Sequence, residues 1–188
     1  MARSDDNFLT YGLTGTIGGM LTFRQRARRT FVSVHRKPTT IPATEKLQSV
    51  RLKFASCIAY AKSAVKNPKT RAMYQAAIKG GQTAFNVATS DALNPPEITF
   101  IDKTGYQGNI GDILLVKAKD DFMVSEVSVT ILNASGHLVE QGNAVMELAK
   151  GDWIYVASKL NPEYAHAVIS VTASDLPGNT TTSTITLS

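Results

Sequence analysis

Residues 167–187, with the sequence AVISVTASDLPGNTTTSTITL, carry the clearest indication of how the second half of the chain folds. Apolar and polar residues alternate from Ile169 to Ala173, which is typical of a β-strand with one buried face. Pro177-Gly178-Asn179 then supplies a turn, and Thr182–Leu187 supplies another segment rich in β-branched residues. The stretch therefore predicts two consecutive strands joined by a turn.

The same pattern of strands and turns extends upstream as far as Pro95 and Pro96. Short segments with strand propensity alternate with turns that contain Gly, Asn or Asp. Together they make about seven strands in roughly 90 residues, which is typical of a β-sandwich. The additional predicted strands are Glu97–Asp102, Ile113–Lys119, Val124–Leu132, His137–Glu140 and Trp153–Ala157. We therefore expect residues 95–188 to form an all-β sandwich domain.

Residues 1–94 predict a separate α+β module that begins with a β-hairpin. A glycine-rich approach leads into Met20–Phe23, and Thr30–Val34 is the return strand. The residues between them contain no Asn-Gly or Asp-Gly pair, so we expect a longer loop there.

Three helices are predicted after the hairpin, over residues 43–66, 69–79 and 82–93. Asn94-Pro95-Pro96 cannot continue a helix and marks the boundary with the sandwich. Apolar residues at three- and four-residue spacing predict the buried face of the first helix. They are Leu47, Val50, Phe54, Ile58, Ala61 and Val65.

Charge divides the chain at the same boundary. Residues 1–95 hold 15 Lys and Arg against 4 Asp and Glu, a net charge of +11. Residues 96–188 hold 5 against 11, a net charge of −6, which leaves +5 for the whole chain. A basic surface attracts polyanions, and that attraction belongs to the first half alone.

The strongest candidate binding site is the basic cluster in and around the hairpin. It comprises Arg24, Arg26, Arg28, Arg29, Arg36 and Lys37. Alternate residues of an extended strand share one face, about 7 Å apart, and could follow a row of phosphates or carboxylates. Three interpretations stay open: a solvated hairpin tip, a contact with an acidic protein surface, or nucleic-acid binding through residues 24–37.

The end of the chain resembles the last two strands of bacterial immunoglobulin-like domains. These domains often carry the pattern V-x-A-x-D-x-x-G-N before the final strand, and Val171, Ala173, Asp175, Gly178 and Asn179 match it. The resemblance implies an immunoglobulin-like sandwich, a fold that commonly serves structural and adhesive roles. The chain has one cysteine, so the inter-sheet disulfide of antibody domains is absent.

The first half resembles an uncharacterised bacterial family with a Gly-Thr-x-Gly-Gly hairpin and a helical segment. The hairpin motif corresponds to Gly15-Thr16-Ile17-Gly18-Gly19. The helical segment of the family has the pattern Thr-x-x-Gln-x-x-x-Arg-x-x-Phe, which corresponds to Thr44, Gln48, Arg51 and Phe54. The gap from Thr44 to Gln48 is one residue longer than in the family pattern. Several relatives resemble components of phage or phage-tail-like particles, which implies an assembly role.

No catalytic or metal site is predicted, and no cofactor. His35, His137 and His166 lie near no Gly-x-Ser-x-Gly motif, and no Cys/His spacing fits zinc. Cys57 lies in an apolar helical pattern, which favours a buried core residue over a reactive thiol. We therefore expect a protein that is not an enzyme.

Acidic residues recur at the predicted ends of the sandwich. They are Glu97, Asp102, Asp112, Asp120, Asp121 and Asp175. Asp commonly starts turns, so the preferred interpretation is a set of surface turn residues. A bound calcium ion is the alternative, although the spacing matches no calcium loop.

The sequence thus predicts a non-enzymatic structural or interaction protein, a subunit of a larger assembly that uses its basic hairpin on an acidic surface. Head-to-tail contact between the basic and acidic halves of successive copies would build a filament or stack. A nucleic-acid-binding protein is the alternative. No signal peptide or membrane span is predicted, so we expect synthesis in the cytoplasm, with release inside a particle as an open possibility.

Overall fold

The computed structural model describes residues 2–3, 8–26, 29–36 and 42–187, and within them it contains three helices and three β-sheets. The first sheet has the strand order β1-β4-β3-β2, with every neighbouring pair antiparallel. Its strands are β1 Ala2–Arg3, β2 Gly15–Ile17, β3 Leu21–Arg26 and β4 Arg29–Val34. The predicted hairpin is therefore the centre of a larger sheet.

The prediction of a longer hairpin loop is wrong. Arg26 pairs with Arg29, so the ladder between β3 and β4 leaves only two residues between its paired ends. The strand pairing therefore carries the arginine-rich segment into the sheet itself.

Three helices follow, at α1 Glu45–Lys66, α2 Pro68–Ala76 and α3 Ala84–Leu93. Each begins at a side chain that accepts a hydrogen bond from a free N–H of the first turn. Thr44 Oγ1 accepts from Leu47 N at 3.3 Å, and Thr83 Oγ1 accepts from Asn86 N at 3.2 Å. Asn67 both ends α1 and caps α2, where its Oδ1 accepts from Lys69 N at 3.0 Å.

The first half of α1 does not bury its predicted apolar face. Leu47, Val50 and Phe54 are exposed, whereas the buried residues of α1 come later and are Cys57, Ala61 and Ala64. The reason is length: α1 has 22 residues, about 33 Å, while α2 and α3 have nine and ten, about 15 Å each. Cys57 is buried as predicted, and its thiol donates to Ala92 O at 3.2 Å.

The second half forms a sandwich-like pair of four-stranded antiparallel sheets. Their orders are β5-β6-β10-β9 and β12-β11-β7-β8. All seven predicted strands are present, and the short β9 is an addition. The strands are β5 Glu97–Asp102, β6 Ile113–Lys119, β7 Val124–Leu132, β8 Leu138–Asn143, β9 Val145–Glu147, β10 Asp152–Val156, β11 Val168–Asp175 and β12 Thr180–Thr186.

The core between these sheets follows the alternation of the sequence. Every second residue of β11 is buried, beginning with Ile169 and Val171, and the same holds for Val127, Val129 and Ile131 of β7. Leu114, Val116, Trp153 and Tyr155 face them from the other sheet and belong to the same buried cluster.

The helices pack against one end of this sandwich. Phe122 and Leu176 lie against the helical cluster around Tyr74, and the rings of Tyr74 and Phe122 are 4.5 Å apart. Asn179 Nδ2 donates to the main-chain oxygens of Asp91 and Ala92 at 3.3 Å each. The chain passes from α3 to β5 at the predicted boundary, residues 94 and 95, and the division into two domains there stays a prediction.

Candidate functional site

The hairpin register places three of the predicted arginines on one face of the first sheet. Arg24 pairs with Phe31 and Arg26 pairs with Arg29 across β3 and β4. Side chains of directly opposed residues, and of residues two apart on one strand, lie on the same side of a sheet. We call Arg24, Arg26, Arg29 and Phe31 the basic face, and its three arginines are exposed.

Arg36 follows β4 and extends the basic face. It lines an open groove of about 370 Å³ together with Arg24, Thr22, Ser33, Val34 and His35. The ring Nδ1 of His35 lies 3.3 Å from Thr22 Oγ1. Arg28 and Lys37, the other two predicted binding residues, lie outside the described residues.

The arginines of the basic face have no acidic partner in their own chain, as far as the described ranges extend. The ion pairs there join Lys117 to Asp152, Lys119 to Glu97 and Lys150 to Glu147. All three pairs lie in the second half, and none involves Arg24, Arg26, Arg29 or Arg36. The positive charge of the basic face is therefore not neutralised by a described carboxylate.

Large apolar side chains are exposed in and near the first sheet and also on α1. Phe8 is 86% exposed, Val34 is 76% exposed, and Met20 is also largely exposed. On α1 the exposed residues are Leu47, Val50, Leu52 and Phe54. Exposed apolar side chains of this size are candidates for burial in a contact with another molecule. The sequence pattern had indicated core at three of the α1 positions, and the shortness of α2 and α3 was the signal against it.

A second cluster of charged side chains lies where the helices meet the sandwich. Asp91 of α3, Asp120 after β6 and Asp175 at the end of β11 bring one carboxylate oxygen each within 4.8 Å of the others. Asp91 is fully buried, Asp175 is buried and Asp120 is partly buried. We call these three residues the acidic cluster.

Neutral donors hold the acidic cluster in place. Tyr74 OH donates to Asp91 Oδ2 at 2.5 Å, and the Tyr60 and Tyr74 hydroxyls are 2.8 Å apart. Asp175 Oδ1 accepts from the main-chain N of Gly178 and Asn179 at 2.8 and 2.6 Å. Asp120 Oδ2 accepts from two main-chain N–H groups, those of Phe122 at 3.3 Å and Met123 at 3.0 Å.

Two buried oxygens of the acidic cluster accept no hydrogen bond. They are Oδ1 of Asp91 and Oδ1 of Asp120. Burial raises the pKa of Asp91 to about 7, and the neighbouring Asp120 and Asp175 charges act in the same direction, while the hydrogen bond from Tyr74 opposes them. Burial also raises the pKa of the Tyr74 phenol. The cluster therefore brings three carboxyl groups together without a described cation beside them.

The other predicted acidic residues lie apart from the acidic cluster and have local roles. Asp102 Oδ1 accepts from Thr104 N at 3.0 Å, and Asp112 Oδ2 accepts from Gln107 N and Asn109 N, so both close turns. Glu97 pairs with Lys119 at 3.0 Å, and Asp121 Oδ2 accepts from Asn94 Nδ2 at 2.6 Å. Sequence reasoning did not single out Asp91, although a polar residue between Ala88 and Ala92 on an otherwise apolar helix face was a signal.

No family model matches this chain, and no curated protein matches it. Among solved structures, CopC from Methylosinus trichosporium OB3b is similar at 14% sequence identity and a TM-score of 0.37. The similarity covers 49% of this chain and 90% of CopC.

The histidines lie on three separate parts of the fold. His35 follows β4, and His137 precedes β8 and lies outside the acidic cluster. The exposed His166 precedes β11 and has a φ of +63°.

None of the helices within the described ranges combines the length and apolar composition that crossing a membrane requires.

Proposed function

We propose that this protein is a non-enzymatic structural subunit of a larger assembly, phage or phage-tail-like in kind. In this proposal the basic face contacts an acidic surface, first of all the acidic second half of a neighbouring copy. The observation that carries the proposal is the basic face itself, whose exposed arginines have no carboxylate partner among the described residues of their own chain.

The charge distribution supports contact between copies. The second half carries a net charge of −6 and the first half +11, so neighbouring copies attract each other when they meet head to tail. Such complementarity fixes orientation and speeds association more than it adds affinity. A head-to-tail contact that does not close on itself produces an open stack.

Burial of the exposed apolar side chains would add a hydrophobic contribution to the proposed contact between copies. Within the described ranges, the strands of the first sheet make extensive contacts only with one another. The exposed Phe8 and Val34 are therefore not covered by the core of their own chain. Burying apolar surface contributes roughly 25 cal/mol per Å², and the first half of α1 adds further area of this kind. We infer that these residues are covered by a neighbouring subunit.

The proposal further assigns the sandwich to the immunoglobulin-like class. The motif residues that suggested it have a structural role: the carboxylate of Asp175 closes the turn between β11 and β12 through Gly178 N and Asn179 N. The absence of a second cysteine in the chain separates this sandwich from the disulfide-linked antibody type.

Charge reversal on the basic face tests the proposed contact. We expect the wild type to form large species at low salt, detected by light scattering, and the variant Arg24→Glu, Arg26→Glu, Arg29→Glu to form none. The same loss is expected for the wild type above about 0.5 M salt, because exposed charges are then screened within a few ångströms.

A matched control changes the net charge equally at other exposed lysines. The variant Lys62→Glu, Lys69→Glu, Lys79→Glu carries the same −6 change on α1, on α2 and after α2, away from the basic face. It should retain assembly at low salt. A wild type that stays monomeric at low salt and high concentration, or a control that fails as completely as the arginine variant, would contradict the proposal.

Nucleic-acid binding is the second candidate, favoured by one observation. Phe31 lies opposite Arg24 on the basic face, so an aromatic ring and guanidinium groups line the same surface. Bases stack on such rings while arginines neutralise the backbone.

A mobility-shift assay with single-stranded DNA tests this candidate. If the basic face binds, affinity falls steeply with salt, and Phe31→Ala weakens binding by roughly five- to a hundredfold, the value of one stacked base. Equal, negligible retardation of the wild type and the triple arginine variant would remove this candidate and leave the assembly proposal untouched.

A further inference from the structure

The acidic cluster combines close carboxylates with oxygens that lack a partner. Asp91 is fully buried, and its Oδ1 accepts no hydrogen bond although it lies in the group that includes Asp120 and Asp175. Asp120 Oδ1 is orphaned in the same way. Leaving a charged oxygen buried and unpaired is costly, so buried carboxylates normally have a donor or a metal ion beside them.

We propose that Asp91, Asp120 and Asp175 bind one calcium ion, which fastens α3 to the end of the sandwich. Calcium takes six to eight oxygen ligands, and carboxylates are preferred among them. The two orphaned Oδ1 atoms provide two such oxygens from separate segments of the chain. The inference is independent of the proposed function.

The proposed ligands are oriented by hydrogen bonds to oxygens that the ion would not need. The Oδ2 atoms of Asp91 and Asp120 are engaged by Tyr74 OH and by main-chain N–H groups. Outer hydrogen bonds of this kind orient metal ligands and leave the facing oxygen available. Each of the two carboxylates therefore turns one oxygen toward its structural donors and the other toward the proposed ion.

An entry path exists beside Asp91. A cavity of about 340 Å³ is lined by Asp91, Ser90, Asp121, Phe122 and Gln82, and it opens between α3 and the end of β6. Lys79 also lines this cavity but forms no ion pair with Asp91 in the described structure. In this proposal the ion enters through the cavity and loses its water to reach the fully buried Asp91.

Calorimetric titration of the EDTA-treated protein with CaCl₂ tests the proposal. We expect one calcium ion per chain, and a melting temperature that rises by about 5 °C or more at a hundredfold excess over Kd. Asp91→Asn and Asp175→Asn should abolish both effects. Asp121→Asn, a matched change one residue from Asp120, should leave the calcium-dependent shift intact even if its lost contact with Asn94 lowers the melting temperature.

Terbium luminescence keeps the test decisive if a variant folds poorly. Tb³⁺ occupies calcium sites and emits when a nearby tyrosine is excited, and Tyr74 OH is 2.5 Å from Asp91 Oδ2. Tyrosine-sensitised emission should appear in the wild type, be displaced by CaCl₂, and fall at least severalfold when Tyr74 and the neighbouring Tyr60 are both changed to Phe.

Three results would overturn the assignment. A wild type without calcium heat, melting shift or terbium emission would show that the acidic cluster binds no calcium ion. An equal melting shift with MgCl₂ would contradict the choice of calcium. Retention of the full shift in Asp91→Asn would place the ion elsewhere.

Discussion

Replacing Tyr74 with alanine lowers the free energy of unfolding by about 5 kcal/mol, the largest loss we expect from a single side chain. The Tyr74 ring is fully buried and packs on Phe122, and truncating a buried aromatic residue costs about 3–5 kcal/mol. The change also removes the hydroxyl that donates to Asp91, which leaves a buried carboxylate less satisfied at a further cost of about 1–3 kcal/mol. Urea unfolding followed by circular dichroism measures the loss.

Two controls separate packing from hydrogen bonding. Tyr74→Phe keeps the ring and should lose only about 1–3 kcal/mol. Tyr11→Ala removes a ring that is 71% exposed and should change stability by less than about 0.5 kcal/mol. If Tyr74→Ala and Tyr11→Ala are equally stable, Tyr74 does not join the helices to the sandwich as the contacts indicate.

Gly108 is the second position where a small change has a large effect. Its φ is +85°, and an added Cβ would lie 2.3 Å from Asn161 O and 2.8 Å from Tyr164 Cβ. The left-handed conformation costs an L-residue roughly 1–2 kcal/mol, and the clash with main chain adds roughly 1–3 kcal/mol. We therefore expect Gly108→Ala to lose about 3 kcal/mol or more, or roughly 6–12 °C in melting temperature.

Gly111 provides a matched control three residues away. Its φ is +92°, but nothing lies within 4 Å of an added Cβ. Gly111→Ala should therefore lose only the roughly 1–2 kcal/mol of conformational strain. A loss in Gly108→Ala no larger than in Gly111→Ala, measured by differential scanning calorimetry, would contradict the close approach of Asn161.

The strands of the second half were predictable because their burial repeats within each segment. The alternation in residues 169–173 needs only one buried face, and the burial of both β11 and its partner β7 follows such a pattern. The addition, β9 Val145–Glu147, has three residues, which is too short for alternation to establish. The local sequence pattern was therefore sufficient to predict most strands of the sandwich.

The helices show where local pattern stops. The stripe from Leu47 to Val65 predicts one face of α1 correctly in spacing, but whether a stripe is buried depends on what lies opposite. Partners as short as α2 and α3 leave Leu47, Val50 and Phe54 exposed. The apolar pattern of α1 taken alone does not show how much of the helix its shorter neighbours cover.

The candidate sites divide in the same way. The alternation of Arg24 and Arg26 on one face followed from strand geometry alone, and the pairing of Arg26 with Arg29 completed it. The acidic cluster was not predictable as a unit, because its members lie on α3, after β6 and at the end of β11. Only the docking of the helices on the sandwich brings Asp91 to Asp120 and Asp175.

The side chain of Asn179 has a consequence for how the chain comes apart. Its amide nitrogen donates to Asp175 Oδ2 and to two main-chain oxygens of α3, so one turn between strands also closes the last turn of a helix. Unfolding of α3 therefore removes two acceptors of the Asn179 side chain in the turn between β11 and β12. Unfolding of that turn removes the same hydrogen bonds from α3. Helices and sheets linked in this manner lose their order cooperatively, in a single heat-absorption peak.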